Sequence, residues 1–139
     1  MALNPLYLAD KSALARFDHP PVGHRLGPLL VDGMIATCPI IDLEILYSAR
    51  SLADYEAILA ERRSLVSYPI SEHVTDRAIE VQHQLAHLGQ HRIPLPDLLI
   101  AAVAELNEVT VLHYDADYDR IASITRQPSE WIAPRGSIP

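Results

Sequence analysis

A chain of 139 residues that is 49% hydrophobic and 21% charged has the composition of one globular domain, here taken over 1–139, and excludes the polar, charge-rich profile of disorder. The net charge of -7 argues against binding nucleic acid through bulk charge, although Lys11 is the single lysine among the 11 basic residues. The positive charge is therefore carried by arginines, whose planar fork suits phosphates and carboxylates.

The lone Cys38 excludes an intramolecular disulfide. Neither a signal-like N-terminus nor an apolar run of membrane-spanning length is present, so a cytoplasmic protein with no membrane association is expected.

In chain order, LYLA (6–9) reads as a short buried strand that runs into Asp10. Residues 12–17 and 22–31 suggest two short helices separated by the HPP break at 19–21. MIATC (34–38) is a second strand, with Cys38 as a small buried residue. PIIDLEILYSAR (39–50) starts a helix at Pro39, and a second helix follows through SLADYEAILAERR. LVSYPI (65–70) reads as a third strand. In SEHVTDRAIEVQHQLAHLG (71–89), the apolar or small residues Val74, Ala78, Val81, Leu85 and Leu88 mark one helical face, with Ser71 as cap and Gly89 as stop. IPLPDLLIAAVAELN (93–107) begins its helix near Pro96 or Asp97. VTVLHY (109–114) is a strand leading to Asp115, a helix starts near Tyr118, and EWIA (130–133) is a last strand. Strands alternating with helices predict an α/β fold with a central, mostly parallel sheet of about five strands flanked by helices.

Sites in open parallel sheets form beyond the carboxyl ends of the strands. Asp10 and Asp115 sit at such ends, though each also reads as a helix cap, a role that contributes about 1 kcal/mol. Glu44 is flanked by Ile40, Ile41, Leu43, Ile45 and Leu46 and has little solvated face, so its charge needs an Arg partner or a cation. Asp42, in the same helix, reads as solvated. Asp97 sits where a helix dipole favours an acid. Were these acids gathered together they would repel one another unless protonated or bridged by a divalent cation, and all-oxygen ligation points to Mg²⁺ or Mn²⁺. In LHYDADYDRIA (112–122), Asp117 divides between a supporting role at such a site and capping the next helix, while Asp119 reads as a first-turn acid.

Other chemistries fit less well. An EF-hand would need Gly and Glu where Arg120 and Arg126 stand. His83 and His87 could pair on zinc, but Gly89 ends the helix before His91 and no further ligand completes a set. Phosphotransfer by a D-x-D nucleophile is broken by Ser12. Tyr7, Tyr47, Tyr55, Tyr68 and Phe17 are scattered and read as core or interface residues.

The segments LYLADKSAL, PIIDLEILYSA and IPLPDLLIAAVAELNEVTVLHYDADYDRIA together resemble a PIN-domain ribonuclease of the VapC type, the toxin of type II toxin-antitoxin pairs. The resemblance covers nearly the whole chain, and its most specific block is D-x-x-I-A-A-x-A followed by a strand and D-x-D-aromatic. It implies a three-layer PIN-like fold and a catalytic quartet of Asp10, Glu44, Asp97 and Asp115. Asp10, Asp97 and Asp115 would be metal ligands, joined by Glu44 and Asp117. Ser12 would orient the first carboxylate or a metal-bound water, and Lys11, Arg92 and Arg120 flank the motifs as candidate phosphate donors. It further implies Mg²⁺ with Mn²⁺ as substitute, cleavage of a structured RNA such as tRNA, a homodimer, and inhibition by a VapB-type antitoxin. The chain departs from the pattern at Ser48, where Gly is usual, and at His113, where a hydroxyl residue is usual. His113 is expected either to replace that hydroxyl as a hydrogen-bond donor or to fill space. The alternative function is a non-catalytic interaction module of the same fold.

Overall fold

A computed structural model describes residues 4–139. β1 (Tyr7–Ala9) leads into α1 (Lys11–Leu14) and α2 (Pro20–Val31). β2 (Ile35–Ala36), α3 (Pro39–Tyr47), α4 (Leu52–Arg63), α5 (Glu72–His87) and α6 (Leu95–Leu106) follow. The chain continues through β3 (Thr110–His113) and α7 (Asp117–Thr125) to β4 (Ser129–Trp131). No helix among the described residues is long and apolar enough to cross a membrane.

The sheet is wholly parallel, in the order β2-β1-β3-β4. Tyr7 pairs with Ile35 and Thr110, and His113 pairs with Trp131. Successive strand residues enter opposite cores, as the pleat requires. Leu8, Ala36 and Val111 pack under α3, α5, α6 and α7, whereas Ala9, Ile35 and Leu112 pack with Val22 and Leu26 of α2 and with Ile132. The α/β sandwich expected from the sequence is therefore present, with four strands.

The segment that would have made a fifth strand, 65–70, reaches the sheet edge at one point. Thr37 N–H donates to Val66 O at 2.8 Å, Tyr68 N–H donates to Thr37 O at 2.9 Å, and the bridge Thr37–Ser67 goes no further. Pro69 has no N–H to continue the ladder. The HPP segment also behaves differently from expectation. Pro20 and Pro21 open α2 instead of breaking the chain, because a first helical turn needs no N–H from them, and the interruption falls at 15–19.

The other boundaries follow their local chemistry. Ser71 caps α5 by accepting from Val74 N–H at 3.3 Å. Gly89, at φ 69°, ends that helix: its N–H reaches Ala86 O and Gln90 N–H reaches Leu85 O, a Schellman closure. α6 is buried from Asp97 through Ala104, except Leu99, and its alanines allow close approach to the sheet.

Candidate active site

Because every strand runs the same way, all strand ends that lead into helices face one edge of the molecule. Asp10 follows β1 there, Asp115 follows β3, and α3 and α6 bring Glu44 and Asp97 to the same edge.

Asp10 is buried and fully engaged. Its Oδ2 accepts from Ser12 N–H at 3.0 Å and from Ser12 Oγ–H at 2.6 Å, and its Oδ1 accepts from Tyr118 O–H at 2.9 Å. Asp10 is thereby the cap of α1. Ser12 Oγ also accepts from Tyr114 N–H at 2.9 Å and so ties α1 to the end of β3.

Asp97 is 7% exposed, and its Oδ2 is buried without a hydrogen-bond partner. Its Oδ1 lies 3.4 Å from Tyr118 Oη. Burial, followed by the charges of Asp10, Asp115, Asp117 and Glu44, pushes its carboxyl up to about 8. Glu44 is half-buried with Oε1 unpartnered; burial and then Asp10 raise its pKa, against a smaller opposing effect of Lys11. Asp115 Oδ1 accepts from Asp117 N–H at 2.9 Å, so Asp115 turns the chain into α7 and Asp117 is its first residue, not its cap. The Asp117 carboxyl is raised by burial and then by Asp115, and it accepts from Arg120 at 3.3 Å. Asp119 lies outside this group, where it accepts from the Trp131 indole at 3.1 Å.

Among the described residues, Asp97, Asp115 and Asp117 form the one group of metal-capable side chains, offering oxygens all within 4.8 Å of one another. Asp10 adjoins them through the shared Tyr118 hydroxyl. His83 and His87 only stack, with ring centroids 5.0 Å apart.

His113, expected as a donor or as a space filler, is buried and makes its hydrogen bond as an acceptor. Its Nδ1 takes the Asp115 N–H at 3.2 Å, which places the ring proton on the unpartnered Nε2. Burial lowers its pKa and keeps the ring neutral, packed between Tyr118 and Trp131.

Three features differ from the sequence reading or went unread. Tyr118, 1% exposed, bridges Asp10 and Asp97; the signal was its place with Ile121 on the apolar face of α7, since a buried Tyr hydroxyl needs a polar partner. Asp42 is not solvated: it accepts from Arg62 Nε at 2.9 Å and Thr37 Oγ1 at 2.8 Å, because the α3–α4 turn brings Arg62 back over the start of α3. Tyr47, expected as a core or interface residue, is not in the core, being 90% exposed at the end of α3.

A parallel α/β sandwich with carboxylates gathered beyond its strand ends, one of them buried with an unpartnered oxygen, is a framework suited to a hard divalent cation. The family whose profile matches is the PIN domain, over residues 7–124. Ribonuclease VapC21 of Mycobacterium tuberculosis is 47% identical, the match covering 94% of this chain and 96% of that protein. Ribonuclease VapC18 of the same organism is 43% identical, covering 96% and 99%. The chain belongs to the PIN-domain family, in its VapC branch. Among solved structures, VapBC2 from Rickettsia felis bound to a promoter DNA fragment superposes with a TM-score of 0.73 at 20% identity, covering 92% of this chain and 98% of that one. DNA-bound VapBC from Salmonella typhimurium gives 0.71 at 17% identity, covering 93% and 99%. At such identities these two neighbours speak for the fold alone.

Proposed function

We propose that this chain is a metal-dependent endoribonuclease, the toxin of a VapBC-type pair, acting as one domain over 1–139 in the cytoplasm. The observation that carries the reading is the buried Asp97 carboxylate, with an unpartnered oxygen, gathered with Asp115 and Asp117 within 4.8 Å. The names of the relatives support RNA as substrate, and the VapBC complexes among the solved structures support a VapB-type antitoxin as partner.

The donor set is all carboxylate oxygen and fits Mg²⁺, or Mn²⁺ in its place. When bound there, a divalent cation lowers the pKa of water and neutralises charge on the phosphate. Asp97, Asp115 and Asp117 would hold the ion. Asp10, fixed by Ser12 and Tyr118, would be a further ligand. Glu44, whose raised pKa suits proton transfer, orients and deprotonates the attacking water. His113 holds the Asp115 backbone in place and moves no proton. Hydrolysis leaves 5′-phosphate and 3′-hydroxyl ends on a structured RNA such as tRNA, and the active form is a homodimer.

Purified protein incubated with total tRNA and Mn²⁺ should yield discrete fragments, and EDTA or Asp10→Ala should abolish them while circular dichroism stays native. Cleavage at the original rate under either condition would overturn the metal mechanism.

A further inference from the structure

An RNA substrate brings a polyanion to a chain of net charge -7, so its phosphates must meet particular cations. Several are already committed: Arg62 to Asp42, Arg77 to Glu105 and Glu80, and Arg25 to Glu130. Arg16 donates to the carbonyls of Ser12 and Pro139 and lies over the Tyr114 ring. Of the others, Lys11 and Arg92 flank the acids, as does Arg120, which is itself paired with Asp117.

Lys11 shares a cleft of about 400 Å³ with Leu43, Glu44 and Tyr47. Arg120, which reaches Asp117, lines a second cleft of about 570 Å³ with Arg92 and the loop 89–93. The two clefts border different acids, the first Glu44 directly and the second Asp117 through Arg120.

Tyr47 distinguishes the first cleft. It stands one turn beyond Glu44, 90% exposed, and the neighbouring Leu43 is also solvent-facing. An aromatic face held in water beside a lysine offers stacking to a base and charge to its phosphate, a combination used by single-strand binding surfaces.

We propose that the substrate strand crosses the site with one unpaired base stacked on Tyr47, the adjoining phosphate on Lys11, and the strand beyond the scissile bond held by Arg92 and Arg120. Cations in two clefts that border different acids match a polyanion gripped at separate phosphates and cut at the acids. The proposal rests on the ribonuclease reading above. A protein helix laid over Leu43 and Tyr47 is the competing occupant.

The test is fluorescence anisotropy of a labelled oligouridylate of about 12 nucleotides, with Ca²⁺ present, against the full chain and its Tyr47→Ala, Tyr47→Phe and Arg92→Ala variants. Tyr47→Ala should weaken binding about tenfold, and Tyr47→Phe should bind like wild type. Arg92→Ala should weaken binding and reduce the logarithmic salt slope by about 0.7. Mn²⁺ affinity by calorimetry and the circular dichroism spectrum should stay unchanged in all three. Wild-type binding by both alanine variants would overturn the strand path. So would a Tyr47→Ala variant that loses its co-expressed antitoxin yet keeps oligouridylate. Failure of the ribonuclease reading looks different, since the wild-type chain would then cleave no RNA at all.

Discussion

Asp42 and Glu44 stand two residues apart on α3, both withdrawn from water, and they meet opposite fates. Asp42 closes a network: Arg62 donates to it, Thr37 donates to it, and Arg62 also donates to Thr37 Oγ1 at 2.7 Å. Glu44 faces other acids with one oxygen unpartnered. A charge that the chain neutralises by itself belongs to the architecture, whereas one left incomplete requires something from outside.

The largest expected effect is on the incomplete side. Asp97→Asn should lower RNA cleavage at least about 100-fold without lowering the thermal midpoint measured in EDTA, since it replaces a carboxyl whose ionisation the four neighbouring acids oppose with a neutral amide. The same residue sets a pH signature. With its carboxyl pushed up to about 8, the folded chain in EDTA keeps a proton that the unfolded chain gives up near its ordinary value of 3.8. The unfolded state then binds fewer protons between these values, so stability is highest at the acidic end and falls as pH approaches 8. Melting curves across that range should show the decline in wild type and a flatter profile in Asp97→Asn; parallel profiles would remove Asp97 from the account.

On the completed side, Arg62→Ala should cost about 3 kcal/mol in urea unfolding, because it strands Asp42 and Thr37. Arg62→Met combined with Asp42→Asn should recover most of that loss. A single variant as stable as wild type would mean that the network is not structural.

Tyr118→Phe touches both sides of the comparison, being part of the fold and yet bonded to the site. Loss of the hydroxyl frees Asp10 Oδ1 and should slow cleavage about tenfold with the fold intact; an unchanged rate would show that Ser12 alone fixes Asp10. Ser71→Ala, at an α5 cap belonging to neither network, should cost about 1 kcal/mol and leave cleavage unaltered.

Periodicity and punctuation carried much of the architecture. The α5 face from Val74 to Leu85, the Ser71 cap, the Gly89 stop and Pro39 at the head of α3 are local signals, and the structure contains each. The sequence misled where one residue changed a ladder or a partner came from far away. Pro69 reduced a strand to a bridge, and Arg62, a helix away, turned a supposedly solvated Asp42 into half of an ion pair. At the site, acid identity was legible because strand ends and a helix start mark Asp10, Asp115 and Asp97. The roles of Tyr118 and His113 were not, since each depends on which hydrogen-bond partner the packed core leaves within reach.

The parallel sheet also sets when the site can exist. Its centre pairs β1 with β3, which lies far along the sequence, and Asp10 meets the Asp115–Asp117 turn only across that pairing. A growing chain that has emerged as far as α6 carries Asp10, Glu44 and Asp97 but lacks the strand that would align the first and the two acids that complete the group. The acidic group therefore cannot assemble until β3 and the turn after it have been made and paired with β1.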